Sequence, residues 1–117
     1  MPLQGDRQFR TNWPANTTPV APDGSGTTAV NLCGYSLANT AGAARSVKFW
    51  DKASAPVVGT DPPKRTVVVP AGQTVDNDFK RSVKFTLGLW VAVTVNPADS
   101  DATAPSAGDI QMTIDFQ

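Results

Sequence analysis

Asp76 and Asp78 flank Asn77 in the stretch VDND, and Asp99 and Asp101 stand two apart in ADSDAT. Oxygen-bearing side chains at this spacing are what a hard divalent cation would use. Calcium, however, takes roughly six to eight oxygens, and either motif offers only a few, so both pairs read as solvated turns and no metal is expected. Paired aspartates also hydrolyse glycosidic bonds, which requires a set separation and one carboxyl kept protonated in an apolar cleft. No two aspartates here have that setting. Cys33 is the one thiol, and a thiolate nucleophile needs a base to take its proton. The 117 residues contain no histidine and no glutamate; all ten acidic residues are aspartate. Beside Gly34 in an apolar stretch, Cys33 reads as a small buried hydrophobe. A single cysteine also excludes an internal disulfide and a cysteine-cluster metal site. No catalytic residue and no cofactor are expected, and the chain reads as a non-enzyme.

With catalysis unsupported, binding surfaces become the question. Lys64-Arg65 and Lys80-Arg81, with Lys84 close by, are either a contact for an acidic partner or ordinary charge at strand ends, and Asp61, Asp76 and Asp78 neutralise the same neighbourhoods. Ten Lys+Arg against ten Asp+Glu give no net charge, so neither nucleic acid nor an anionic membrane is an expected partner. No apolar run approaches the ~18 residues of a spanning helix, and MPLQGDRQFR lacks the apolar stretch of a signal peptide. Aromatic residues are better candidates. Trp90 has the parity opposite Leu89 and Val91, and Trp50 opposes Val47 and Phe49, so each should leave the buried face of its strand. An aromatic exposed on a sheet is an interface anchor unless the chain's own arm or a loop covers it. Phe9, Trp13 and Val20 are the apolar residues of an otherwise polar N-terminal region and join Trp50 and Trp90 as expected partner-binding positions.

The elements that must position these residues are strands. Thirteen valines and thirteen threonines stand against five leucines, and β-branched residues favour sheet. Ten prolines and nine glycines interrupt helical spacing throughout. Residues 1–26 read as an extended N-terminal arm in which Gln8–Trp13 is a candidate edge strand; this arm is expected to reach a neighbouring subunit and to be dispensable for folding, deletion of residues 1–20 leaving a soluble domain. Residues 27–117 read as the folded domain. Val30 and Leu32 fall on one parity, Tyr35 and Leu37 on the other, which predicts a bulge near Gly34. Further strands are expected at Arg45–Asp51, at Thr66–Val69 ahead of Pro70-Ala71-Gly72, and at Gln73–Phe79. A short one is expected at Val57–Val58 inside the loop 52–65. Leu87–Val95 and Asp109–Phe116 alternate in period two, each with one face buried. Seven or eight short strands fit an antiparallel β-sandwich of jelly-roll-like topology, with a small closed barrel as the alternative.

VNLCGYSLANTAGAARSVKFWD, VVVPAGQTVDNDF and VKFTLGLWVAV together resemble a pattern in small structural proteins of tailed bacteriophages, in which a strand like hGYSLSNTSGAAxxVxhxD precedes a Pro- and Gly-containing loop, an AGxT/S turn and a GLYV-like strand. The matching residues are Gly34–Asn39, Gly42–Ala44, Val47, Asp51, Ala71–Gln73 and Gly88–Val91, within Val30–Val95. Trp90 stands where the pattern has tyrosine, and the N-terminal arm has no counterpart in it. The resemblance implies a β-sandwich virion component on the capsid surface. It would be a capsid decoration (cement) protein that binds the major capsid protein as a homo-oligomer, dimer or trimer. A receptor- or carbohydrate-binding module of a tail fibre and a neck or head-completion factor are the alternatives.

Overall fold

Period-two alternation from Ile110 to Phe116 buries Ile110, Met112, Ile114 and Phe116 and leaves Gln111, Thr113 and Asp115 on the opposite side. The computed structural model describes residues 7–117. Among the described residues there are seven strands: β1 (Arg7–Asn12), β2 (Val30–Asn39), β3 (Arg45–Asp51), β4 (Arg65–Val69), β5 (Thr74–Phe85), β6 (Leu89–Thr94) and β7 (Ile110–Phe116). They form two antiparallel sheets, β1-β7-β2-β5 and β4-β3-β6, packed as a sandwich. A jelly roll has eight strands in two Greek keys; the described residues divide four and three.

Between the sheets, Leu32, Tyr35 and Leu37 of β2 and Ile110 and Ile114 of β7 meet Val47 and Phe49 of β3 and Leu89, Val91 and Val93 of β6. The Tyr35 ring stacks on Phe49 with centroids 5.8 Å apart and receives Phe79 edge-on at 5.7 Å. Such pairs add about 1 kcal/mol beyond the area they bury.

The change of parity in β2 is a bulge. Leu32 faces Phe116 and Gly34 faces Asp115, so Cys33 is one residue too many against β7. Both Leu32 and Tyr35 can then point inward. Against β5 the mismatch runs the other way, with Phe79–Ser82 opposite Cys33 alone. The strand expected to stop at Phe79 thus continues to Phe85 through an irregular middle. The two backbones run close at this point: a Cβ on Gly34 would lie 2.6 Å from the Asn77 carbonyl oxygen.

Two polar side chains, Asn39 and Asp51, brace the sandwich. Asn39, 3% exposed at the end of β2, donates from Nδ2 to the Ala43 and Val69 carbonyls at 2.9 Å each, and its Oδ1 accepts the Ala41 amide at 2.8 Å. One side chain thereby closes the β2–β3 turn and ties it to β4 in the opposite sheet. Asp51 ends β3 and accepts the amides of Thr86, Leu87 and Gly88 at 3.0, 2.8 and 3.3 Å. The turn held there begins β6 at Leu89, so Leu87, expected on the buried face, lies outside the strand and is 52% exposed. Gly88 sits so near the Gly26 and Lys52 carbonyls that a Cβ would collide with both.

Three other expectations are corrected. Val57 and Val58 form no strand; Asp61 Oδ2 accepts the Val57 amide at 2.8 Å and closes a turn that leaves Val57 59% exposed. The outward parity of β3 and β6 is not solvated: Ser46, Lys48, Trp50, Ala92 and Thr94 are all buried. Loops fold over that outer face, where Lys48 Nζ donates to the Ala98 and Asp101 carbonyls at 2.6 and 3.2 Å. Finally, residues 7–26 belong to the sandwich. β1 pairs with β7 along its whole length, from Arg7↔Phe116 to Asn12↔Gln111, as an edge strand. Val20 and Val91 exchange two backbone hydrogen bonds at 2.9 Å. Residues 1–6 of the expected arm lie outside the described residues.

Candidate functional site

The five expected partner-binding residues are occupied within the chain. Trp13 and Trp50 are each 1% exposed, and Phe9, Val20 and Trp90 are partly buried against the core. Each indole N–H donates to the backbone of a segment that its ring secures. Trp13 reaches the Asn16 carbonyl at 2.8 Å, Trp50 the Asp61 carbonyl at 2.8 Å, and Trp90 the carbonyls of Gly26 and Lys52 at 3.2 and 3.1 Å. Of the two readings open for Trp50 and Trp90, cover by the chain's own segments is the one present: opposite parity on β3 and β6 leads to a second, loop-covered layer.

The candidate ligands and charges disperse in the same way. Asp101 closes its own loop, accepting the Asn96 amide at 2.9 Å and the Thr103 hydroxyl at 2.8 Å. Asp76 and Asp78 are exposed on β5, and among the described residues no three of His, Cys, Asp and Glu gather as a metal site. Cys33 is 3% exposed, its Sγ 3.6 Å from the Asn31 carbonyl oxygen. Lys64 is drawn to the fold, donating to the Lys84 carbonyl at 2.7 Å, pairing with Asp51 at 3.5 Å and lying 4.8 Å from the Phe85 ring centroid. Arg65 lies over Phe79, while Lys80, Arg81 and Lys84 are exposed.

What remains open is the outer face of the four-stranded sheet. Register places Arg10, Thr113, Ser36 and Asp76 side by side in one row across β1, β7, β2 and β5. The next row is Asn12, Gln111, Ala38 and Thr74. The short side chains of Ser36, Ala38 and Thr113 lie beside the longer Arg10 and Gln111, which leaves a depression of about 450 Å³ over Arg10, Asn12, Ser36, Ala38, Gln111 and Thr113, with Thr11 and Met112 also at its lining. Among the described residues, none of the side chains of Arg10, Asn12, Ser36, Gln111 and Thr113 is engaged in a hydrogen bond or ion pair within the fold. Alternation along β7 placed Gln111 and Thr113 opposite its apolar residues; that they share one depression with Arg10, Asn12 and Ser36 follows from β7 being inserted between β1 and β2, which no local pattern announces.

No family model, curated protein or solved structure matches this chain. Its site is therefore defined by its own geometry: a rigid polar sheet face, backed by the sandwich core, beside loops locked by aspartates.

Those aspartates set the acid response. Burial by itself would raise the Asp51 carboxyl, but the Leu87, Thr86 and Gly88 amides and the Lys64 ammonium outweigh it and hold it below the usual value. Asp23 is also pushed up by burial and lowered further by the amides of Gly26 and Ser25 and the hydroxyls of Thr28 and Ser25. Asp101 follows the same balance through Asn96 and Thr103. Asp61 is lowered foremost by the Val57 amide, then by Lys52. A carboxyl lowered in the folded state stabilises folding above its unfolded pKa, and that contribution is lost as pH falls through the folded value. The thermal midpoint is thus expected to stay level from about pH 7 to about pH 5 and to fall below about pH 4. Circular-dichroism melts at stepped pH check this, with Asp51→Asn expected to flatten the acid limb. A midpoint that holds to about pH 2 would mean that these carboxylates do not support the loops.

Proposed function

We propose that this chain is a non-enzymatic virion structural protein of a tailed bacteriophage, a capsid decoration protein that binds the major capsid protein lattice as a homo-oligomer. The observation that carries this reading is the use made of the residues shared with the phage pattern. Asn39 ties the two sheets, Asp51 closes the β5–β6 turn, and Gly88 admits two crossing carbonyls. The resemblance therefore falls on what builds the sandwich. That favours a common architecture over a chance match of turn residues.

A decoration protein acts by straddling capsid subunits and burying surface at each junction, at ~25 cal/mol per Å² of apolar area before association costs. Small increments repeated over a shell resist internal pressure. The task demands a stiff body, and this chain supplies one: its tryptophans and aspartates are spent on holding loops to the sheets. Because Phe9, Trp13 and Val20 are engaged with their own sandwich, lattice contact falls to the body's outer surfaces.

Quantitative mass spectrometry of purified particles from the phage that encodes the chain tests the proposal. Decoration requires many copies in a fixed ratio to the major capsid protein. Absence from the particles overturns the virion reading, and a few copies per particle replaces decoration with a neck or head-completion ring.

A further inference from the structure

We propose that the outer face of the four-stranded sheet binds a neutral saccharide chain in the depression over β1, β7 and β2. The inference goes beyond the virion reading and does not depend on it.

Six of the residues lining the depression form a grid of two rows by three strands, about 10 Å by 7 Å at sheet spacings, the footprint of a short stretch of pyranose rings. Its volume, about 450 Å³, lies within the ordinary range for small-molecule sites. Asn12 and Gln111 each offer an amide that donates and accepts in one plane, Arg10 a fork of donors, and Ser36 and Thr113 hydroxyls that do both. Vicinal hydroxyls of a sugar need that mixture, because each is itself donor and acceptor. Among the described residues none of these groups has a partner, so binding breaks no bond seen there, and all stand on paired strands whose positions are set before the ligand arrives.

Charge selects within the saccharides. Asp76 lies in the row of Arg10, and Asp115 and Asp78 share the adjacent row with Gln8. In these rows one cation stands among three carboxylates, with Lys84 farther along the same face opposite Asn31, so the surroundings of the depression are mildly acidic, which disfavours uronic acids and other anionic glycans. The absence of an apolar residue larger than Ala38 on the grid leaves a second protein without the desolvated centre that stable interfaces use. A hydroxylated ligand needs no such centre.

Titrating nitrogen-labelled protein with maltohexaose, cellohexaose and chitohexaose, and with an oligogalacturonate for comparison, tests this by NMR. At least one neutral oligosaccharide is expected to shift the amides of β1, β7 and β2, with the oligogalacturonate weaker. Arg10→Ala and Gln111→Ala are each expected to weaken that binding about tenfold, the loss of one ligand hydrogen bond to a fixed donor, at unchanged thermal midpoints. Thr113→Trp, which fills the depression, abolishes it. No shift with any of the three neutral chains at millimolar concentration overturns the proposal. So does a preference for the oligogalacturonate, binding that all three variants retain, or a dimer by light scattering that Arg10→Ala dissociates. Particle copy number bears on the virion reading alone, so the two proposals fail separately.

Discussion

Removing residues 1–20 is expected to unfold the domain. Three losses coincide. Trp13, 1% exposed in the core, leaves a void; truncating a buried aromatic costs about 3–5 kcal/mol. β1 vacates six register positions along β7 and turns a central strand into an edge. Val20 no longer covers the edge of β6, where it exchanges two hydrogen bonds with Val91. The sum is comparable with the whole stability of an ordinary domain, about 5–15 kcal/mol. Urea unfolding followed by tryptophan fluorescence and circular dichroism checks it. The truncated chain should show no cooperative transition or a strongly lowered midpoint, while Trp13→Phe in the full chain keeps most of the packing and loses a smaller part. A truncated protein that unfolds cooperatively at the full chain's midpoint would restore the segment as a dispensable arm.

Trp50→Ala is expected to destabilise the fold by about 4 kcal/mol, from the value of a large buried aromatic plus the cavity that remains. The indole lies on the outer face of β3, opposite Trp90 in the register, and its N–H holds the loop 52–64 at the Asp61 carbonyl. For a chain of this size the loss corresponds to a thermal midpoint lowered by about 15 °C. Trp50→Phe separates the two contributions: it keeps a ring on β3 and forfeits the hydrogen bond, with an expected cost of about 2 kcal/mol. Differential scanning calorimetry reads both. A loss under about 1 kcal/mol for Trp50→Ala would mean that the loop closes over the site without the ring, and that the outer layer of the smaller sheet is not part of the cooperative unit.

Trp50 and Trp90 also mark where inference along the chain ends. Alternation is a local property, and it correctly assigned Val47 and Phe49, Leu89, Val91 and Val93, and Ile110 through Phe116 to one buried face, because a strand can present only two faces and one must cover the core. It carries no information on whether the second face is wet. For β7 it is: Gln111 is exposed and Thr113 half-exposed. For β3 and β6 it is not, because loops distant in sequence lie over Lys48 and Trp50 and supply carbonyl partners to a charged amine and an indole. A lysine between two apolar residues reads as a solvated position. Only the Ala98 and Asp101 carbonyls brought to its Nζ allow it to be buried.

The strand-forming composition, the bulge announced by the parity change between Leu32 and Tyr35, and the absence of histidine and glutamate chemistry were written in the order and type of residues alone. Each depends on neighbours a few positions apart or on which functional groups exist at all. Tertiary pairing decided the rest. It set β7 between β1 and β2, drew the N-terminal segment into the body, and gathered Arg10, Ser36 and Gln111, from strands far apart in the chain, around one depression. Those outcomes are contacts between distant segments, selected by which edges and faces could be buried together, and no stretch of the sequence contains both partners.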